Sequence, residues 1–482
     1  MNEVVFATAQ GRYLELLIDI FKNCPKSIDL HAVVSDSSIN KLDNPSSDCI
    51  NIIKEWEVYH SQITEDDRKL VANFEKQELG ESLFKAIVID RRMYFGSKTK
   101  VRQSYKPRFS STELENKLVQ MASVIIRKFD EKRPNLCILF SMTNVQDYIV
   151  YSVCKARNIK FLQLRSAKIE NYITASDNFF EHSVNADKDI SKELFEVAEA
   201  YVKKIYSDNT FHYEGALLSK KFKPFTSVKR IIAGLKSDII KLSNSTIRRD
   251  NQVEWLFRNN FYSEIINPLR WAFQKNMFSD MCGSQSKYFL YPLHFEPEVA
   301  IQFYGTQYLN QIELIRNIAM SLPLGTRLIV KEHPRSYGVR STKYYKKIQS
   351  IPRVSLANGK LSMDHLVNGS LGVFTISGST GLQAIIRGKP CWTFGKPYFS
   401  KIGAKMVRYV ENVDDIDKLI FELLEDYQYD RSLITSFVAR TLSKSVRFDL
   451  YSHYLQKSDR YQFGDIHVEV NDLYELIQRE AR

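Results

Sequence analysis

The stretch "LGVFTISGSTGLQAIIRGKPCWT", Leu371 to Thr393, decides how this chain folds. It opens as an apolar strand over Leu371–Ile376, breaks into Ser377, Gly378, Ser379, Thr380 and Gly381, continues as a helix over Thr380–Arg387, and returns to a strand over Pro390–Thr393. Strand, helix and strand in so short a span predict a parallel pair, because parallel strands need a crossover and a helix is the usual one. The strands are apolar along their whole length, as strands buried on both faces are. In open parallel sheets ligands sit beyond the carboxyl ends of the strands, which is where the Ser/Gly run falls. Glycine lets the backbone approach a ligand, and amides and hydroxyls at the first helical turn add donors, so the loop reads as an anion cradle. The competing reading is a well-capped helix. The loop lacks the lysine of a Walker loop and does not match G-x-G-x-x-G, so it supports neither a nucleotide triphosphatase nor a dinucleotide enzyme.

The same alternation extends in both directions. Upstream, "LIVKEHPRSYG" places a strand over Arg327–Lys331, and Pro334 stops a helix from forming after it. A strand-end histidine alone reads first as one satisfied by backbone. Beside the Ser/Gly loop, His333 reads as a phosphate donor assisted by Lys331 and Arg335. Further upstream, "KYFLYPLHFEPEVA" ends a strand at Pro292 and carries His294, Glu296 and Glu298 into the following loop. Carboxylates there suit a general base or a nucleophile, although loop acids are more often simply solvated.

The N-terminal part repeats the pattern, with strands over Val4–Ala9, Asp29–Val34, Leu136–Ser141 and Lys160–Leu164, and helices over Tyr13–Asn23, Ser61–Phe74, Glu113–Arg127 and Val145–Arg157. Gln10, Gly11 and Arg12 follow the first strand, and Arg165 and Ser166 follow another, placing both groups where an acceptor would meet the cleft. The expected organisation is an α/β pair of Rossmann-like domains facing across a cleft. Residues 1–190 form the first domain, 191–285 a helical basic connector, 286–445 the second domain and 446–482 closing helices, with a helical pattern over Leu433–Tyr454 leading into them.

Composition narrows the partners. The chain of 482 residues carries a net charge of +12, which asks for an acidic partner: nucleic acid, anionic lipid or an anionic small substrate. Much of the excess lies in 219–249, where Lys220, Lys221, Lys223, Lys229, Arg230, Lys236, Lys241, Arg248 and Arg249 face one acid, Asp238. Apolar residues interleaved there predict an amphipathic helix over Val228–Leu242, suited either to an anionic membrane surface or to packing on its own protein. No nucleic-acid recognition motif accompanies the charge. Cys24, Cys49, Cys137, Cys154, Cys282 and Cys391 form no C-x-x-C pair and read as reduced core residues. With no secretory signal pattern and no apolar run of spanning length, the expectation is a cytoplasmic protein, peripheral on the inner face of the inner membrane. No bound metal is expected, because no D-x-D falls in a strand-end loop.

Three blocks, "YPLHFEPE", "LPLGTRLIVKEHP" and "SGSTGLQAIIRGKP", resemble in order and spacing the bacterial capsule and surface-polysaccharide biosynthesis family, whose glycosyltransferases look like the GT-B class. "EKQELGES" with "VIDRRMYFG", and the passage from Leu139 to Glu181, are similar to its N-terminal blocks. The resemblance implies that His333 with Pro334, and Ser377, Gly378, Ser379, Thr380 and Gly381, hold a donor's nucleotide and phosphate. In relatives that transfer 3-deoxy-manno-octulosonic acid (Kdo) from its CMP ester, an acid after the first strand of the second domain is catalytic. The matching position here is Glu298, with Glu296 as rival, in a string less acidic than theirs. The implied activity is transfer from a nucleotide-sugar substrate, with no cofactor, to a lipid-linked or oligosaccharide acceptor in capsule or lipopolysaccharide. The alternatives on a similar fold are a nucleotide-sugar 2-epimerase, a teichoic-type glycerophosphotransferase and a non-catalytic assembly protein.

Overall fold

The computed structural model describes residues 3–9, 13–22, 28–34, 50–93, 109–169, 171–179, 190–207, 224–243, 256–279, 287–296, 298–359, 361–450 and 466–481. Gln10, Gly11, Arg12, Lys220, Lys221, Lys223, Arg248, Arg249, Cys24, Cys49 and Cys282 lie outside them.

Two sheets organise these residues. The first contains β1 (Glu3–Ala9), β2 (Ile28–Val34), β3 (Asn51–Lys54), β4 (Leu136–Leu139), β5 (Lys160–Ser166), β6 (Tyr172–Ser176) and, from the far end of the chain, a strand over Ser445–Arg447. The second contains β7 (Tyr288–Pro292), β8 (Arg327–Lys331), β9 (Val354–Ala357), β10 (Gly372–Thr375), β11 (Cys391–Thr393) and β12 (Val407–Tyr409). With Ser445–Arg447 as β13, the orders are β13-β6-β5-β4-β1-β2-β3 and β12-β11-β10-β7-β8-β9. All pairings of the second sheet are parallel, and in the first only those made by β6 are antiparallel.

Alternate residues of each strand serve opposite faces. Phe6 joins the cluster under the helices Ser111–Lys132 and Val145–Arg157, whereas Val5 and Ala7 join the one under Tyr13–Lys22 and the C-terminal helix Ile466–Ala481. In the second sheet Leu328 and Val330 point one way and Ile329 the other. Covered faces on both sides explain the unbroken apolar runs in the sequence.

Each sheet reverses its strand order once. The first two successors of β1 lie on one side of it and β4 on the other; likewise β8 and β9 lie on one side of β7, and β10 on the other. Two doubly wound units with their strand ends at a shared cleft make a GT-B-like fold.

The helix boundaries follow local caps. The expected start at Ser61 moves to Glu65, because Thr64 and Asp67 form a reciprocal capping box. The helical expectation for Leu433–Tyr454 is corrected: the helix Arg431–Ser443 stops, and β13 pairs antiparallel with β6 through Ser445↔Thr174 and Arg447↔Tyr172. A three-residue strand carries no periodicity of its own, and the open edge of β6 decides its conformation. The chain thereby returns to the first sheet before its last helix.

Among the described residues of 191–285 the helices are Lys192–Ser207, Pro224–Ser243 and a run from Leu256 to Met277. Lys192–Ser207 packs on the helices Thr380–Ile386 and Arg431–Ser443, with Ala198, Val202 and Ile205 in one cluster with Leu382, Ile385 and Val438. Cys137, Cys154 and Cys391 are buried free thiols. No described helix is long and apolar enough to cross a membrane.

Candidate functional site

A cavity of about 430 Å³ opens between the sheets, lined from the first by Tyr13, Phe140–Met142 and Gln163–Ser166 and from the second by the ends of β7, β8 and β10. It therefore lies at the reversal point of the second sheet, where such sheets bind ligands.

His294 stitches that point together. It follows β7, and its Nε2 accepts the Ile376 N–H at 3.1 Å and lies 3.2 Å from Thr375 Oγ1 at the end of β10. Burial, then His333 and Arg340, push this imidazole down to about 3, so it is a neutral acceptor. Thr375 Oγ1 in turn accepts the Gly378 N–H at 3.0 Å. A side chain at Gly378 would meet Thr375 Oγ1 and His294 Cε1 at 3.0 and 3.1 Å.

The strand-end cluster of β8 faces the same space. Arg335 N–H donates to His333 Nδ1 at 3.2 Å, which leaves Nε2 as the protonated nitrogen of a neutral ring. Burial first, then Arg335 and Arg340, push the ring down to about 4. Lys331 Nζ donates to Asn358 O at 2.7 Å and to Tyr337 Oη at 3.3 Å. Burial lowers it to about 8, opposed by Glu332. A neutral N–H donor and an ammonium suited to an anion thus stand on one wall with Ser377, Ser379 and Thr380.

The Ser/Gly loop does less uniform work than its sequence suggests. Ser377 Oγ donates to Ala300 O at 2.8 Å and holds the short helix Val299–Gln302. Gly378 spends its amide on Thr375. Gly381 is buried away from the cavity, where a Cβ would come within 2.6 Å of Phe399 and 3.0 Å of Cys391 Sγ, so it is a packing glycine. Ser379 and Thr380 reach the cavity.

The two candidate carboxylates separate. Glu298 lines the cavity and is solvent-accessible through it, yet protein on both sides of the cleft desolvates the carboxyl and raises its pKa, against the pull of Lys168 and Arg335. Arg335 itself is exposed at the rim. Glu296 is buried behind the wall, 3.4 Å from Arg340 Nη1 and in contact with the Gln311 amide.

Arg340 is the residue that sequence reasoning did not reveal. Only 1% exposed, it lies behind both strand-end loops. Its Nε stands 3.3 Å from Glu332 Oε2, Nη1 donates to Tyr344 Oη at 2.6 Å, and Nη2 donates to His294 O. Glu332 also accepts Tyr345 Oη at 2.7 Å and the His333 N–H at 2.6 Å. Burial raises the Glu332 carboxyl even beside Arg340. One guanidinium therefore ties the loop of His294 to the loop of His333. Nothing in the periodicity of "SYGVRSTKYY" marks it, since the tie is made between elements far apart in sequence.

On the opposite wall Arg165 Nη1 donates to Phe179 O at 2.8 Å and to Tyr304 Oη at 3.4 Å, joining the first sheet to the second unit. Ser166 Oγ accepts the Lys168 N–H at 3.2 Å. Lys168, at φ 61°, lines the cavity next to Arg165, a second cation absent from the sequence-based set. Among the described residues no cluster of three His, Cys, Asp or Glu side chains forms a metal-ligand set.

Known proteins place the second unit. Residues 269–411 match the family model of the capsule polysaccharide biosynthesis protein. No curated protein matches the chain. Among solved structures it is similar to the Thermosulfurimonas dismutans KpsC beta Kdo 2,4 transferase, at 12% identity and TM-score 0.37, over 64% of this chain and 79% of that one. The beta Kdo 2,7 transferase of the same KpsC is similar at 11% identity and TM-score 0.32, over 78% and 98%. UDP-GlcNAc 2-epimerase from Methanocaldococcus jannaschii is similar at 12% identity and TM-score 0.24, over 92% and 99%. The matched segment runs from the helix before β7 through β12 and carries His294, Glu298, His333 and the Ser/Gly loop, so it is this second unit that is similar to the capsule polysaccharide biosynthesis family.

Proposed function

We propose that the cleft transfers a sugar from a nucleotide-sugar donor to a growing capsule glycan, with CMP-linked Kdo-like acid sugars among the candidate donors. The observation that carries this reading is that one cavity is lined both by residues suited to an anion (His333, Lys331, Ser379, Thr380) and by the raised-pKa carboxyl of Glu298. When the bond from the anomeric carbon to the donor phosphate breaks, its electron pair leaves on the phosphate. Fixed donors aimed there stabilise that charge. The acceptor hydroxyl oxygen bonds to the anomeric carbon and its proton passes to Glu298, which a raised pKa suits. Arg165, Ser166 and Lys168 meet the acceptor, a lipid-linked glycan presented at the cytoplasmic face of the inner membrane.

The test is thermal unfolding of the purified protein with CMP, UDP, GDP and CDP-glycerol, since a ligand of the native state raises apparent stability. One nucleotide is expected to raise the melting temperature; no shift with any of them overturns the donor site. The pH dependence is equally specific. His333 at about 4 and His294 at about 3 stay neutral through the physiological range, so neither ring adds a pH dependence to the affinity for the nucleotide phosphate there. Lys331 loses its proton as pH rises through about 8, and affinity is expected to fall above that value by up to about tenfold per unit. Isothermal titration across the range checks this, and a decline centred near pH 6 would instead implicate a histidine.

A further inference from the structure

The helix Pro224–Ser243 packs on the run from Leu256 to Met277 along one seam. Asp238, its one acid, is buried there and accepts the Leu256 and Phe257 amides, each at 2.9 Å. Asn260 Nδ2 donates to Arg230 O at 2.7 Å, and Arg230 pairs with Glu264 at 2.9 Å. Gly234 permits the contact, since a Cβ there would stand 2.9 Å from the Leu256 backbone.

A second stripe of the same helix is exposed among the described residues. Val228, Ile232, Leu235, Ile239 and Leu242 recur at alternating steps of four and three and are all exposed, Ile239 by 58%. At 100° per residue this stripe lies about 100° from the seam residues Gly234 and Asp238, and Lys229 and Lys236 lie about 90° to its other side. Both lysines are exposed. The run from Leu256 to Met277 also exposes Leu269 and Phe273, the latter by 83%. An apolar stripe bordered by cations, with its single acid turned inward, complements an anionic bilayer surface.

The run from Leu256 to Met277 is in turn bonded directly to the candidate site. Arg270 Nη1 donates to Gly338 O and Val339 O at 2.9 and 3.1 Å, and Gln274 Nε2 donates to Arg340 O at 2.9 Å. Trp271 packs on Tyr337 with ring centroids 4.3 Å apart, and Tyr337 Oη accepts from Lys331. Gly338, at φ 75°, approaches so closely that a Cβ would fall 2.0 Å from Asn267 O.

We propose that the exposed stripe of Pro224–Ser243 docks on anionic lipid and that docking, relayed through Arg270, Trp271 and Gln274 to the loop His333–Arg340, tightens nucleotide binding. The second half rests on the donor-site reading; the first does not. Sedimentation with phosphatidylglycerol-containing vesicles is expected to carry the protein down, with phosphatidylcholine vesicles much less effective and high salt releasing it. The variant I232S/L235S/I239S, changed only at exposed positions, and the variant K229E/K236E are each expected to weaken vesicle binding by at least tenfold. No binding, or binding that both variants retain, overturns docking. A dimer in light scattering that the serine variant dissociates also overturns it, assigning the stripe to a second copy of the chain.

Coupling has two readouts. Hydrogen exchange of the amides in 335–341 is expected to slow on anionic vesicles whether or not any nucleotide binds. The nucleotide dissociation constant is expected to fall by about fivefold or more, with vesicle affinity rising by the same factor when nucleotide is present. Unchanged exchange on docked protein overturns the relay. Slowed exchange without binding of any nucleotide leaves the relay standing and removes the donor-site reading alone.

Discussion

Replacing Arg340 by methionine is expected to cost about 3–5 kcal/mol of folding stability, because removing one partner of a buried ion pair strands the other. Here two carboxylates are stranded at once. Glu332 and Glu296 lie 3.3 and 3.4 Å from the guanidinium, and all three side chains are at most 2% exposed. The cost has a pH signature. Burial already holds the Glu332 carboxyl above its usual range while Arg340 pulls it down. A carboxyl whose folded pKa exceeds its unfolded one favours the fold below the unfolded value, and that contribution is lost as pH rises through the folded value. Without Arg340 the folded value climbs further, so the deficit of the variant is largest at neutral pH and shrinks on acidification. Urea denaturation of both proteins near pH 8 and near pH 5 measures it; an equal deficit at both would reject the electrostatic account. The triple variant R340M/E296Q/E332Q is expected to recover part of the loss, since it leaves no buried charge unpaired. Because Arg340 also holds His294 O, the single variant should weaken nucleotide binding under conditions where it remains folded.

Replacing Glu298 by glutamine is expected to lower turnover by about 10²- to 10⁴-fold while leaving nucleotide-dependent stabilisation intact. The reason is role: Glu298 lines the cavity, and its carboxyl feels Lys168 and Arg335, so glutamine there removes a proton acceptor but none of the phosphate donors His333, Lys331, Ser379 and Thr380. Its raised pKa places the acidic limb of the wild-type rate profile above the ordinary carboxylate range, with turnover falling as pH drops through it, and that limb should vanish in the glutamine variant. Replacing His333 by alanine predicts the converse, loss of the nucleotide-dependent rise in melting temperature. Full turnover in the Glu298 variant with a suitable acceptor would remove it from the reaction. The rival, Glu296, separates cleanly in this assay: Glu296→Gln is expected to act on stability through Arg340, with a smaller effect on turnover.

Much of this architecture was legible in the chain. The strand Arg327–Lys331 and the helix Val145–Arg157 fall where apolar spacing and caps place them. The ends of β7, β8 and β10 were recognisable as site elements because apolar runs stop there at Pro292, Lys331 and Thr375 and give way to polar loops. The roles within those loops were less so. Ser377, Gly378 and Gly381 look alike as ligand-binding residues, yet one ties down a helix, one spends its amide on Thr375 and one makes room for Phe399.

Local periodicity and turn chemistry by themselves determined the long apolar strands, the polar loops at their ends and the position of His333 after β8, because each depends on neighbours within a few residues. The tertiary structure alone decided which carboxylate faces the cavity, that Arg340 joins the loops of His294 and His333, that β13 returns to the first sheet, and that the apolar stripe of Pro224–Ser243 is exposed among the described residues. Each of those is a contact, or the lack of one, between elements distant in sequence, and the packing that sets it leaves no periodic trace in either element.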